Sequence, residues 1–159
     1  MDDDERFMGE ALREAQKAFV KGEVPVGAVL VHGGRIIARG YNQVEMLRDA
    51  TAHAEMICMT AGAAALENWR LLDTTLYCTC EPCAMCAGAM LLSRITRLVW
   101  GAPDVRHGAG GSWVNLFTTK HPTHSIEITS GVLEECCSSI LKEFFQKRRQ
   151  AKQAENDSH

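Results

Sequence analysis

Four residues in two short motifs carry the reactive chemistry of this sequence. They are His53 and Glu55 in "TAHAEM", and Cys83 and Cys86 in "EPCAMC". One imidazole and two thiolates form a three-ligand set that suits zinc with its fourth tetrahedral position left for water, whereas structural zinc sites fill all four. Pro82 suits the opening of a helix, and cysteines three apart on its first turn share one face. The free amides and dipole of that turn favour the thiolate that zinc needs. His53 and Glu55 are two apart, about 200° around a helix. Both can approach one ion only if it lies off the helix start, where Thr51 is the expected N-cap. Glu55 need not be a ligand. A carboxylate beside activated water can accept its proton and hand it to a leaving group.

The stretch "LYCTCEPCAMC" holds four of the chain's seven cysteines. Cys78 and Cys80 alternate with Tyr77 and Thr79, which places both on the face of Leu76 in a strand, as core residues. Cys58, Cys136 and Cys137 read as packing residues too. An odd cysteine count forbids complete pairing, and the acidic "MDDDERF" start has no apolar leader, so free thiols, metal ligation and a cytoplasmic location are expected. The net charge of −3 excludes a bulk nucleic-acid coat. "LKEFFQKRRQAK" nevertheless concentrates Lys142, Lys147, Arg148, Arg149 and Lys152, either as a solvated helix face or as a patch that steers RNA. No stretch approaches the roughly 20 apolar residues of a membrane helix.

The elements that must hold these groups follow from periodicity. Met8, Ala11, Leu12, Ala15 and Phe19 recur at the helical period, giving a helix over residues 7–21 that stops at Gly22. "VPVGAVLVH" and "RIIARGYN" flank Gly33-Gly34 as a hairpin. A buried helix is expected over 52–65, a strand at "TTLYCTC", and a second buried helix from Pro82 through Leu92. "RLVWGA" and "SIEITSG" read as strands, separated by a loop over 103–125 of the length that often serves function. Leu133, Cys137, Ile140, Leu141 and Phe144 mark a closing helix, and residues 151–159 are expected to fray. This order implies one α/β domain over residues 1–150, a three-layer sandwich with helices on both sheet faces.

The motifs together resemble a known family. "EVPVGAVLVH", Asn42, "DATAHAE", "NWRLLDTTLY", "EPCAMCAGAM", "SRITRLVWGA", "GAGGS", "EIT" and "FFQKRR" are similar to the bacterial tRNA-specific adenosine deaminases over residues 5–150. These are zinc deaminases with the signature H-x-E…P-C-x-x-C. The resemblance implies a cytidine deaminase-like fold with a mixed five-stranded sheet. It also implies conversion of adenosine to inosine at the wobble position of a tRNA anticodon, usually an arginine tRNA, by a homodimer with one zinc per subunit. His53, Cys83 and Cys86 match the zinc ligands and Glu55 the proton shuttle. Asn42 matches a contact to the flipped nucleotide, Val24, Pro25 and Val26 line the base pocket, and Ala54 belongs to the same substrate site. Asp104 matches a contact near the target ribose, with His107, Arg148 and Arg149 as further RNA contacts. Cys80 departs from the usual apolar residue of "LEPC", and "HPTHSIEIT" is shorter than the common form, which leaves RNA contacts over 121–125 open. Two rivals share part of the pattern: a deaminase of free guanine, cytosine or nucleosides, and a non-catalytic zinc subunit. The latter would be expected to lack Glu55.

Overall fold

The computed structural model describes residues 2–118 and 120–158. Helix α1 (Asp3–Val20) starts earlier than its apolar period, because the Asp2 carboxylate caps it by accepting from Glu5 N at 2.8 Å and three acids occupy its first turn. Strands β1 (Gly27–His32) and β2 (Arg35–Tyr41) form the expected hairpin about Gly33-Gly34. A one-turn helix α2 (Val44–Leu47) leads to α3 (Ala54–Leu66), β3 (Thr74–Cys80) and α4 (Ala84–Leu92). Strand β4 (Arg97–Ala102), strand β5 (Glu127–Thr129) and α5 (Glu134–Asp157) complete the chain.

The sheet order is β2-β1-β3-β4-β5, with β1 antiparallel to both neighbours and β3, β4 and β5 parallel. The fold is thus the mixed five-stranded sheet that was expected. Period-two alternation sorts its side chains into two cores. Leu30, Leu76, Cys78, Leu98 and Trp100 face α3 and α4. Val29, Val31, Tyr77 and Val99 face the other way, against α1 and the Cys137 end of α5.

Besides the early start of α1, helices α3 and α4 each begin two residues later than the sequence reading, and three further features differ. Residues 151–157 are not frayed; they continue α5, exposed on every side. Strand β5 has three residues, paired only with Arg97, Leu98 and Val99. Thr51 does not cap α3. Its hydroxyl donates to Asp49 Oδ1 at 2.7 Å, and His53 takes the N-cap position itself.

Candidate active site

The site lies where the N-termini of α3 and α4 meet. Helix α3 can press its first turn onto β2 because Gly40 has no Cβ; one there would stand 2.6 Å from Ala54 O. His53 is the N-cap of α3 and Cys83 the N-cap of α4, both in extended backbone and neither making a side-chain cap bond. Their side chains turn toward each other instead. His53 Nδ1 stands 3.5 Å from Cys83 Sγ and 3.6 Å from Cys86 Sγ, and the three ligand atoms lie within 4.8 Å of one another. Tetrahedral zinc, with bonds of about 2.05 Å to nitrogen and about 2.3 Å to sulfur, sets these atoms roughly 3.5 Å apart. The donor set and its spacing therefore fit zinc. Neither Cys78 nor Cys80 belongs to the group among the described residues.

The electrostatics fit as well. Cys83 is pulled down to about 4 by hydrogen bonds from the Cys86 thiol and from His53. Cys86 is pushed far up by that same bond and by burial, which favours its protonated thiol while no cation is bound. A cation binding there takes that proton's place. His53 is raised by its hydrogen bond to Cys83 against the opposing effect of burial. Glu55, 4% exposed, sits beside the Cys86 thiol, and burial pushes its carboxyl up.

These groups open onto a cavity of about 450 Å³. Val24, Val26, Asn42, Ala54, Asp104, His107 and Arg148 all line it, as does Glu55. Pro25 is buried and lies outside the lining, and Arg149 faces a separate groove on α5 with Phe145 and Lys152. Asn42 Nδ2 donates to Val24 O at 3.3 Å, while its buried Oδ1 has no hydrogen-bond partner among the described residues and remains an acceptor for a ligand. Asp104 Oδ1 accepts from Arg106 N and His107 N, both at 3.2 Å, which shapes its own loop.

Cys78 is fully buried in the core as expected, but Cys80, the last residue of β3, is only partly buried and lines the cavity. Burial pushes its thiol well up, so it presents a neutral wall. Two further carboxylates were missed. Glu23, 1% exposed, accepts from Glu45 N at 3.0 Å and Met46 N at 2.7 Å, pinning the α2 segment to the cavity rim. Glu81 does the corresponding work for the loop after β4. Their one sequence signal is position, since each directly precedes a motif, "VPVG" or "PCAMC".

Residues 1–102 match the cytidine and deoxycytidylate deaminase zinc-binding region. The tRNA-specific adenosine deaminase of Haemophilus influenzae is 53% identical, over 96% of this chain and 88% of its own length. The chain belongs to the tRNA-specific adenosine deaminases. Within that family, the Bacillus subtilis protein is 49% identical over 97% of this chain and 96% of its own. The chloroplastic tRNA(adenine(34)) deaminase of Arabidopsis thaliana is 56% identical over 91% of this chain, which spans 12% of that longer protein. A structure solved in a study of A-to-I editing by tRNA:A34 deaminases superposes with a TM-score of 0.81 at 45% identity, covering 86% of this chain and 99% of that one. A guanine deaminase from Nitrosomonas europaea superposes with a TM-score of 0.78 at 26% identity, covering 88% and 83%. This deaminase has, among its described residues, no helix long and apolar enough to cross a membrane.

Proposed function

We propose that this deaminase converts adenosine to inosine at the wobble position of a tRNA anticodon, in the cytoplasm, with an arginine tRNA as substrate. The observation that carries the reading is the convergence of His53, Cys83, Cys86 and a buried Glu55 on one cavity whose rim bears Asn42, Asp104 and Arg148. Its support from relatives is that the proteins aligning over nearly the whole chain are tRNA-specific adenosine deaminases.

His53, Cys83 and Cys86 would hold the zinc, one per subunit. Zinc supplies there a nucleophile, by lowering the pKa of a water molecule. Glu55 does the proton work. It would take the first proton of the attacking water and deliver it to the adenine ring as C6 is attacked, then take the second from the new C6 hydroxyl and pass it to the amino group, which leaves as ammonia. Its buried position, which already disfavours the carboxylate, suits a group that must be protonated and deprotonated within one turnover. Val24 and Val26 give the flipped base an apolar wall, Asn42 Oδ1 offers it an acceptor, and Asp104 stands where a ribose hydroxyl can donate.

Glu55→Ala is expected to keep zinc and tRNA binding while inosine formation falls by at least about 10²-fold. Inosine at the wild-type rate in that variant would overturn the reading. The guanine deaminase likeness favours a second reading, a free-base substrate. Incubation with guanine, adenosine and an anticodon stem-loop separates the two, and only the stem-loop should react well.

A homodimer is part of the proposal. Trp69, Leu72 and Leu92 are each at least half exposed, and Leu71 N donates to Ser93 O at 2.7 Å, which sets the two segments side by side. Arg94 lies 6.0 Å from the Trp69 ring. An exposed apolar patch of this kind marks an interface. Sedimentation equilibrium giving only monomer would remove this part.

A further inference from the structure

We propose that Glu81 is the positioning residue of the RNA-facing loop, a buried anion around which the segment carrying Asp104 and His107 is folded. The inference rests on the reading of the cavity as an RNA site and assigns a role to a residue that reading does not use. Glu81 follows directly on β3, with its own N–H donating to Ala102 O at the end of β4 at 2.8 Å. Its side chain, 4% exposed, crosses into the loop that leaves β4. Oε1 accepts from Asp104 N at 3.1 Å and from the Ser112 hydroxyl at 2.5 Å. Oε2 accepts from Gly110 N at 2.8 Å and Ser112 N at 3.1 Å.

The match in chemistry is complete. An ionised carboxylate is acceptor-only, with about four lone-pair sites, and four donors fill them here. Both ends of the loop, Asp104 on one side and Gly110 to Ser112 on the other, are tied to one group. The loop's own hydrogen bonds, such as Gly108 N to Asp104 O and Trp113 N to Gly108 O, both at 2.9 Å, shape its turns, and Glu81 ties those turns to the end of β3. The loop contains no helix or strand, and Val105 and Trp113 are 80% and 63% exposed. Gly108 lies against the Glu81 carboxylate so closely that a Cβ there would collide with it. Two further ties run to the same segment: Ala109 N donates to Pro82 O at 2.8 Å, and Gly108 bridges to Cys83. Glu81 thereby fixes the distance between the metal-ligating turn and the side chains that meet the substrate.

Glu81→Gln keeps the size and replaces one acceptor by a donor, which must then face an N–H group. The zinc ligands and Glu55 are untouched. Zinc content is expected to remain at the wild-type level, kcat on a saturating stem-loop to stay within about threefold, and KM to rise about 10- to 100-fold. Amide exchange at Asp104, Gly110 and Ser112 is expected to accelerate at least about tenfold, with β3 and α4 unchanged. Ser112→Ala should give a smaller rise in KM, and adding it to Glu81→Gln should give no further rise, because both remove parts of one network. An unchanged KM, an equal fall in kcat and kcat/KM at constant KM, loss of zinc, or additive single effects would each overturn the proposal. Should Glu81→Gln fail to fold, Ser112→Ala decides by the same KM and exchange readouts. A wild-type protein inactive on the stem-loop would sink the functional reading alone, and the exchange measurement would still decide the role of Glu81.

Discussion

A helix N-terminus normally gains about 1 kcal/mol from a side chain that caps it, and this protein leaves both of its central helices without one. His53 and Cys83 hold the capping positions and turn away from their own helices toward a shared point. Stability is given up there for a metal site, as is common at active sites. His53→Ser should therefore stabilise the chelator-treated protein by about 0.5–1 kcal/mol, since serine caps well. The same change should lower zinc content and abolish deamination. Thermal melts of both proteins with and without chelator check this, and a metal-free variant less stable than metal-free wild type would contradict it. These residues were legible in the sequence because identity and spacing alone define a ligand set. Glu81 and Glu23 were not. A glutamate directly or next but one before a proline looks solvated, and its burial depends on amides 23 to 31 positions downstream for Glu81, and 22 and 23 downstream for Glu23.

Among the elements, α1 is anchored at its N-terminus as well as along its apolar stripe. Asp4 accepts from Arg97 Nη1 and Nη2 at 2.8 and 2.7 Å and from the Tyr77 hydroxyl at 2.8 Å, tying α1 to β4 and β3. Arg97 Nη2 also donates to Thr129, which extends the tie to β5. The Arg97 hydrogen bonds hold the Asp4 carboxyl below its ordinary value of 3.8. Because the folded-state value is the depressed one, this stabilisation is present above that ordinary value and is lost as pH falls through the lowered one. Asp4→Asn should cost about 1–2 kcal/mol at pH 7, and the two proteins should converge in stability below about pH 3. Denaturant melts across that range measure it; a pH-independent difference would mean packing, not the charge, holds the tie. The hairpin, β3, β4 and the apolar helices were readable because their periods are strong. The far end of α5 was not, since it buries nothing. Local pairs support it, Lys147 with Glu143 at 3.5 Å and Gln153 with Asp157 at 2.9 Å, and no apolar period records them. The short β5 pairs with one neighbour only, and its length is set by that register and not by its own residues.

Across the whole molecule, a protein of net charge −3 is proposed to bind a polyanion, so the placement of its cations matters more than their sum. Helix α5 carries Arg148 and Arg149 past the mouth of the cavity; both line the outer groove, and Arg148 also lines the cavity. Arg148 lines the cavity and lies with its guanidinium 5.4 Å from the Phe144 ring centroid, which is buried against α1. Arg149 faces the outer groove with Lys152. Both are expected to meet phosphates, and each such contact adds about 0.7 to the salt slope of single-strand binding. Arg149→Ala should weaken stem-loop binding and lower the slope by roughly 0.7, with kcat at saturation unchanged. Arg148→Ala should lower the slope by the same amount and also reduce kcat, because its loss changes the mouth through which the target base enters. Zinc content should be unaffected in both. Binding titrations over a range of salt concentrations, paired with single-turnover rates, separate the two arginines. Equal kinetic effects would remove the distinction drawn from the place of Arg148 in the cavity lining, and an unchanged slope in the double variant would return α5 to a solvated surface with no part in RNA binding.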